Sequence, residues 1–274
     1  GGYGRTEMAP HSDVDLLFLL PWKATGWIES VIESMLYMFW DMHLKVGHAT
    51  RSVAENIRLA REDTTIRTAL LEHRPLFGNR ALTKSLKDKL WSELFRNTGP
   101  AYIEAKLEER SARHERQGGQ RYVVEPNIKE GKGGLRDLQT LYWIAKYLNR
   151  VETVEQLVPL GMFSPEEYAT FAAAEDFLLA VRCQLHLISD RAMDQLTFDM
   201  QVEVAEHLGY ADHGGRRAVE HFMQDYFRHA TKVGELTRIF LTALEAKHVK
   251  TEPRLVGFFR RRKKTKPDYK IVNN

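Results

Sequence analysis

Cysteine is almost absent: Cys183 is the only one in 274 residues, which excludes an intrachain disulfide and any cysteine-built metal centre. Within Phe177-Leu178-Leu179-Ala180-Val181-Arg182-Cys183-Gln184-Leu185 it reads as a buried helical thiol rather than a nucleophile. No apolar run approaches the roughly eighteen residues of a membrane-spanning helix, and no basic-then-apolar leader opens the chain. A cytoplasmic address is the default, with no membrane partner. An excess of one charge is also missing, since 40 Lys and Arg face 37 Asp and Glu; a net charge of +3 gives no argument for nucleic-acid binding. The one dense basic tract, Arg260-Arg261-Arg262-Lys263-Lys264 with Lys266, reads as a solvated linker or tail, with a nucleic-acid or anionic-membrane patch as the alternative. The eleven histidines form no H-x-x-x-H pair, so a helical histidine zinc site is excluded as well. What is present, 43% hydrophobic and 28% charged residues, suits a soluble globular chain of one large or two modest domains.

The most informative stretch is the first: Gly1-Gly2-Tyr3-Gly4-Arg5-Thr6-Glu7-Met8-Ala9-Pro10-His11-Ser12-Asp13-Val14-Asp15, followed by the apolar run Leu16 to Leu20. In an extended strand residues i and i+2 share a face, so Asp13 and Asp15 project together while Val14 turns into a core. Two like charges held that close repel, and a divalent cation relieves the repulsion. Gly1, Gly2 and Gly4 free the backbone amides for close approach to a polyphosphate. Arg5 adds a fixed positive charge, and Ser12 a hydroxyl beside the carboxylates. A phosphate cradle followed by D-x-D is the equipment for phosphoryl or nucleotidyl transfer with magnesium. A cradling Gly-Gly normally ends a strand and none precedes Gly1, so an N-terminal part with at least one strand is expected to be missing from this chain.

Downstream, the 3.6-residue rhythm of Trp27, Ile28, Val31, Ile32, Met35, Leu36 and Phe39 predicts a helix over Thr25 to Met42. Leu44 to Thr50 reads as a second strand beside the first, which completes a βαβ-like unit. Ser52 and Glu55 form an S-x-x-E capping box at the next helix. Asp63 is a candidate general base for the acceptor; Asp63-Thr64 could equally be an internal helix cap, and His48 is a further alternative. Thr83 to Glu115 is predicted to be a charged, solvated helical arm ended by Gly118-Gly119. Ser164-Pro165-Glu166-Glu167 is a strong start for a helix to about Ile188; a short helix then closes at Gly209, and a long amphipathic helix runs from Arg217 to Ala246.

A second glycine-rich stretch, Glu125-Pro126-Asn127-Ile128-Lys129-Glu130-Gly131-Lys132-Gly133-Gly134-Leu135-Arg136-Asp137-Leu138-Gln139, mixes three glycines with two lysines and an arginine at a helix start. Residues of that kind predict an anion site at a helix N-terminus, although the P-loop spacing is absent. The plain alternative is a tight turn with helix entry.

The pattern GGYGR-x-E-x-x-P-x-SD-x-DLL resembles the signature of the polymerase-β-like nucleotidyltransferase superfamily, and most closely the bacterial PII-protein uridylyltransferase family. P-N-I-K-E-G-x-G-G-L-R-D-x-Q, R-x-x-L-H, D-x-L-T-F-D-x-Q and A-V-E-H-F-M extend the resemblance to about Thr251. It implies an α+β fold: a small, N-terminally truncated polymerase-β-like sheet in a transferase core over 1–80, a larger all-α domain over 81–250 that completes the site, and a basic linker over 251–274. It implies Mg2+-dependent transfer of UMP from UTP to a tyrosine of the PII regulatory protein. Carried over, Asp13 and Asp15 hold the metal, with Asp63 as the candidate third carboxylate. Gly1, Gly2, Arg5 and Ser12 position phosphates; Lys129, Lys132, Gly133, Gly134 and Arg136 contact nucleotide or acceptor, and Asp137 orients Arg136 or assists a metal. Arg182, His186, Asp190 and Arg191 read mostly as structural ion pairs. The resemblance also implies that full-length relatives carry a His-Asp phosphohydrolase domain and small-molecule-sensing domains; the sequence contains no His-Asp doublet, so de-uridylylation is expected to be lacking. Adenylyl transfer from ATP to glutamine synthetase or another protein, and an inactive binding fragment, are the alternatives.

Overall fold

The computed structural model describes residues 1–120 and 122–248; the basic tract and the linker expected over 251–274 lie outside them. A four-residue helix, α1 (Gly2–Arg5), precedes strand β1 (Val14–Leu20), which pairs in parallel with β2 (Val46–Ser52). Parallel strands need a crossover, and α2 (Gly26–Asp41) supplies it, with the Thr25 hydroxyl accepting from the Ile28 amide. The register sets Asp15 beside Gly47, Leu17 beside Ala49 and Leu16 beside His48. The expected βαβ unit is therefore present, and it is the one sheet among the described residues. Its second strand lies two residues further along than the sequence suggested and ends where Ser52 caps α3 (Val53–Glu62). Ser52 Oγ accepts from the Glu55 amide at 3.2 Å, which is one half of the predicted box.

α4 (Thr64–Leu71) follows at once. The predicted solvated arm is corrected in two ways. It is not one helix: α5 (Arg80–Lys89) runs into a π-helical turn at Leu90–Leu94 and a 3-10 turn at Phe95–Asn97 before α6 (Gly99–Arg116) begins at Pro100. Nor is it an arm, because Leu86, Leu90, Leu94, Phe95, Tyr102 and Ile103 are all buried. Tyr102 stacks on Tyr147 of α7 (Leu135–Asn149), with ring centroids 3.9 Å apart. The charges that suggested solvation occupy only the outer face, since a helix of this kind needs an apolar stripe and not an apolar majority.

The remaining helices are α8 (Pro165–Ser189), α9 (Phe198–His207) and α10 (Ala218–His248). α8 starts with a full capping box, Ser164 Oγ accepting from the Glu167 amide and the Glu167 carboxylate accepting from the Ser164 amide. α10 packs against α7, α8 and α9 through Phe222, Tyr226, Ala230, Val233 and Phe240, each at most 1% exposed. One buried cluster runs from Val53 to Leu244, so α3 and α4, inside the expected 1–80 unit, share a core with the helical body. Leu17 and Leu19 on β1 pack onto the same cluster, and the face of the sheet that carries Asp15 therefore looks toward the helices. No helix among the described residues is long and apolar enough to cross a membrane.

Candidate functional site

Asp15 sits at the head of β1 in a slot cut by two glycines. A Cβ on Gly1 would stand 2.4 Å from Asp15 Oδ2, and one on Gly47, the cross-strand neighbour, 3.2 Å from Oδ1. A Cβ at Gly1 would collide with the Asp15 carboxylate and one at Gly47 would press on it, so both glycines matter through close approach rather than an unusual backbone angle. Asp13 lies immediately before the strand, and both carboxylates are exposed. Neither has a hydrogen bond or ion pair among the described residues. Asp15 and Gly1 line a cavity of about 760 Å³ walled by Leu17, Leu19 and Ile66.

Asn56 lines the same cavity and was not anticipated from the sequence. It is fully buried; its Nδ2 donates to Ser52 O at 3.0 Å, while its Oδ1 has no partner. An asparagine just after a cap gives no sequence signal of that kind, because an amide satisfied by a nearby carbonyl looks identical. The donor set fits a hard divalent ion of the magnesium type, which takes oxygen ligands from one or two carboxylates and completes its shell with phosphates and water. No group of three or more metal-ligating side chains occurs among the described residues, so a metal caged entirely by protein does not fit.

Other expected residues are placed differently. Arg5 is buried and turned away, donating from Nε to Glu7 at 2.9 Å and from Nη1 to Glu72 at 2.6 Å. Glu72 also accepts from the Trp143 indole. Gly2 lies against the Glu7 carbonyl. Ser12 Oγ is buried without a partner beside the acidic pair. Asp63 is the N-cap of α4, with Oδ1 accepting from the Thr65 amide at 2.6 Å and the Ile66 amide at 3.3 Å. These amides, Thr65 first, hold its carboxyl below the usual range, which makes it a weak base. His48 shares its register position with Leu16, on the opposite face from Asp15.

The second glycine-rich stretch folds back on itself. Asn127 Oδ1 accepts from the Lys129 and Glu130 amides, and Asn127 O from Gly131. At the start of α7 the Leu135, Arg136 and Asp137 amides donate to Ile128 O, Lys129 O and Gly134 O. The donors predicted to bind an anion are thus occupied by the chain's own carbonyls. Gly133 has φ +85° and its Cβ would stand 2.5 Å from Ala230 O; Gly134 is crowded by Ile128 O. Arg136 pairs with Glu130 and Gln139 and lies over the Trp143 ring. Lys129 Nζ is 3.8 Å from Asp194, and Lys132 Nζ donates to Gly119 O. None of these residues lines the Asp15 cavity.

Asp137 neither orients Arg136 nor faces a cavity. It is fully buried and accepts from Arg110 at 3.1 Å, Arg113, His114 at 2.9 Å and the Gly133 amide at 2.9 Å. Burial alone would raise its carboxyl; the His114 hydrogen bond and the charges of Arg110, His114 and Arg113 prevail and hold it far below the usual range.

The two motifs are nonetheless joined through α8. The His11 amide donates to His186 Nδ1 at 3.2 Å, and His186 Nε2 lies 3.3 Å from Asp194 Oδ1. An Nδ1 that accepts leaves Nε2 to carry the proton, so His186 is the neutral tautomer donating to Asp194; burial foremost lowers its pKa. Asp194 also receives Arg182 Nε at 2.7 Å, and its carbonyl accepts from Ile128. Arg182 and His186 are the structural ion-pair residues expected. Asp190 is almost fully exposed, 3.4 Å from His11 Nε2, and Arg191 contacts only the Met193 sulfur among its side-chain partners. Cys183 is half-buried, its thiol pushed up by burial.

Comparison with known proteins agrees with the motifs. The sequence model described as GlnD PII-uridylyltransferase matches residues 101–241. A bifunctional uridylyltransferase/uridylyl-removing enzyme of Cereibacter sphaeroides is 67% identical over all of this chain and 29% of its own length. Proteins of the same name from Ruegeria pomeroyi and Novosphingobium aromaticivorans are 64% and 52% identical, over 99% and 97% of this chain and 30% and 29% of their own lengths. The chain thus spans about three-tenths of these relatives. No solved structure matches it. With relatives this similar along its whole length and the family's own pattern over its helical half, the chain belongs to the GlnD PII-uridylyltransferase family.

Proposed function

We propose that this chain carries the nucleotidyl-transfer centre of a cytoplasmic PII-protein uridylyltransferase: the unit over 1–80 holds the metal on a polymerase-β-like sheet, and the helices over 81–250 complete the site. UMP moves from UTP to a tyrosine of PII with release of pyrophosphate. The observation that carries the reading is the unpartnered pair Asp13 and Asp15, of which Asp15 lines a cavity, in a family named for that chemistry. Two unneutralised carboxylates in sequence next-but-one positions create a demand for a cation that nothing in the described protein meets.

Asp13 and Asp15 would hold Mg2+. Bound there, the ion would neutralise triphosphate charge and stabilise the departing pyrophosphate. Gly1 and Gly47 leave the Asp15 carboxylate the space that a side chain at either position would crowd. Leu17, Leu19 and Ile66 supply apolar walls for a nucleoside, and Asn56 Oδ1 supplies an acceptor for an N–H of the ligand. The phenolic oxygen bonds to the α-phosphorus, the bond from that phosphorus to the bridging oxygen breaks, and pyrophosphate departs with the electron pair. The phenolic proton passes to solvent, since Asp63 serves its helix cap. The uridylyl-removing reaction in the relatives' name is not assigned to this chain.

The test is incubation with magnesium, PII protein and labelled UTP, then ATP in its place. Label on a PII tyrosine from UTP supports the reading. Label from ATP alone moves the assignment to adenylyl transfer, and no label with no thermal stabilisation by either nucleotide refutes transfer.

A further inference from the structure

A second cavity, of about 810 Å³, adjoins the first, sharing Gly4, Glu72 and Arg74 with it, and contains none of Gly1, Asp13 or Asp15. Cations line it from two sides: Arg80, Lys84 and Lys87 from α5, and Lys146 from the last turn of α7 with Arg150, the residue that caps that helix. At i, i+4 and i+7 the α5 row lies along one helix face. The α5 row spans about 10 Å at 1.5 Å of rise per residue, longer than a single phosphate and suited to several anionic groups in series.

The charges in this cleft are unevenly matched. Arg80 and Lys84 have no hydrogen bond or ion pair among the described residues. Arg150 lies over the Trp91 ring at 4.4 Å. Lys87 and Lys146 both turn to one carboxylate, Glu152, Lys146 at 3.7 Å. Arg5 is balanced by Glu7 and Glu72. Of the remaining carboxyls on the lining, the Glu155 side chain has no hydrogen bond or ion pair among the described residues, and Glu175 is pushed up to about 8 by burial and by Glu7, so it is largely uncharged at neutral pH. Cations therefore outnumber anions, and Glu152 stands where an incoming anion would compete for two of them.

We propose that this cleft is a second anion site, for a small molecule bearing several phosphates in a row, with Arg80, Lys84 and Arg150 as primary contacts and Glu152 as the internal competitor. Phosphate groups suit these partners because guanidinium and ammonium donors make their strongest hydrogen bonds to them. The site does not depend on transfer chemistry at Asp13 and Asp15.

The experiment is calorimetric titration of the 274-residue chain with tripolyphosphate in EDTA, free of divalent ions. Saturable binding is expected, falling with ionic strength. Removing a charged contact weakens binding by about tenfold or more, so Arg80→Ala with Lys84→Ala should show that loss. Glu152→Gln should tighten binding several-fold at unchanged melting temperature, and Asp15→Asn should leave it unaltered. Displacement of tripolyphosphate by ATP assigns the site to nucleotides, and failure of displacement to free polyphosphate; both support it. No saturable binding up to about 1 mM, equal binding in the Arg80/Lys84 double variant, or loss of binding in Asp15→Asn overturns it. Binding can fail here while uridylyl transfer proceeds, so the two readings are tested separately.

Discussion

Asp15 and Asp137 stand in similar company in the sequence, each close to glycines and to a basic residue, and the fold uses them in opposite ways. Asp15 is exposed and unpartnered, with two glycines holding space around it. Asp137 is fully buried and surrounded by Arg110, Arg113, His114 and the Gly133 amide. A charge with its partners built in is scaffold; a charge lacking them is available to a ligand. Residue types alone do not distinguish the cases, because the distinction lies in which donors the tertiary fold delivers.

Removing Asp137 should produce the largest effect. Asp137→Ala leaves the buried His114 and Arg113 and the partly buried Arg110 without this counter-charge, Arg113 keeping only Glu130 at 3.8 Å, at a cost of about 3–5 kcal/mol, read as a lower denaturant midpoint. Because the folded carboxyl lies below its usual value, its stabilisation is complete above about pH 4 and declines as pH falls further; Asp137→Ala should remove that acid-limb dependence. Asp13→Asn and Asp15→Asn should do the reverse, leaving stability within about 0.5 kcal/mol while lowering transfer about a hundredfold or more. A variant at Asp15 that unfolds, or one at Asp137 that folds normally but loses activity, breaks the comparison.

The parts of this contrast that were legible in the sequence are those set by local rules. The crossover helix announced itself through its 3.6-residue rhythm, and β1 through its apolar run. The helix from Ser164 was legible because both halves of its box lie within four residues. The arm over Thr83 to Glu115 was misread because its burial depends on Tyr147 and its neighbours on α7, far away in sequence. The glycine-lysine stretch was ambiguous for a related reason: glycines that let an anion approach and glycines that let Ala230 O or Ile128 O approach are the same residue. Asn127, placed to cap the turn with its own side chain, was the one local clue that the loop satisfies itself.

The glycines sharpen the comparison further. Gly133→Ala combines a left-handed backbone with a collision against Ala230 O, and about 1–3 kcal/mol of destabilisation is expected, seen in thermal unfolding with activity per folded molecule preserved. Glu175 gives a smaller, pH-dependent effect. With its carboxyl raised to about 8, the folded state holds a proton that the unfolded state has released, so stability falls as pH rises from about 4.5 toward about 8. Glu175→Gln should flatten that slope.

The smallest expected effect tests the site most directly. Gly47→Ala places a methyl 3.2 Å from Asp15 Oδ1, tight enough to move the carboxylate by a few tenths of an ångström but not to unfold a strand whose neighbouring residues favour extension. Transfer should fall on the order of threefold, with most of the change in the magnesium concentration needed for half-maximal rate. His48→Ala, one residue along and on the other face of the sheet, should leave both quantities unchanged. His48 lines the same cavity from the other face of the sheet, so if His48→Ala proves the more damaging, that face and not the one bearing Asp15 and Gly47 meets the nucleotide, because successive positions along β2 point to opposite faces.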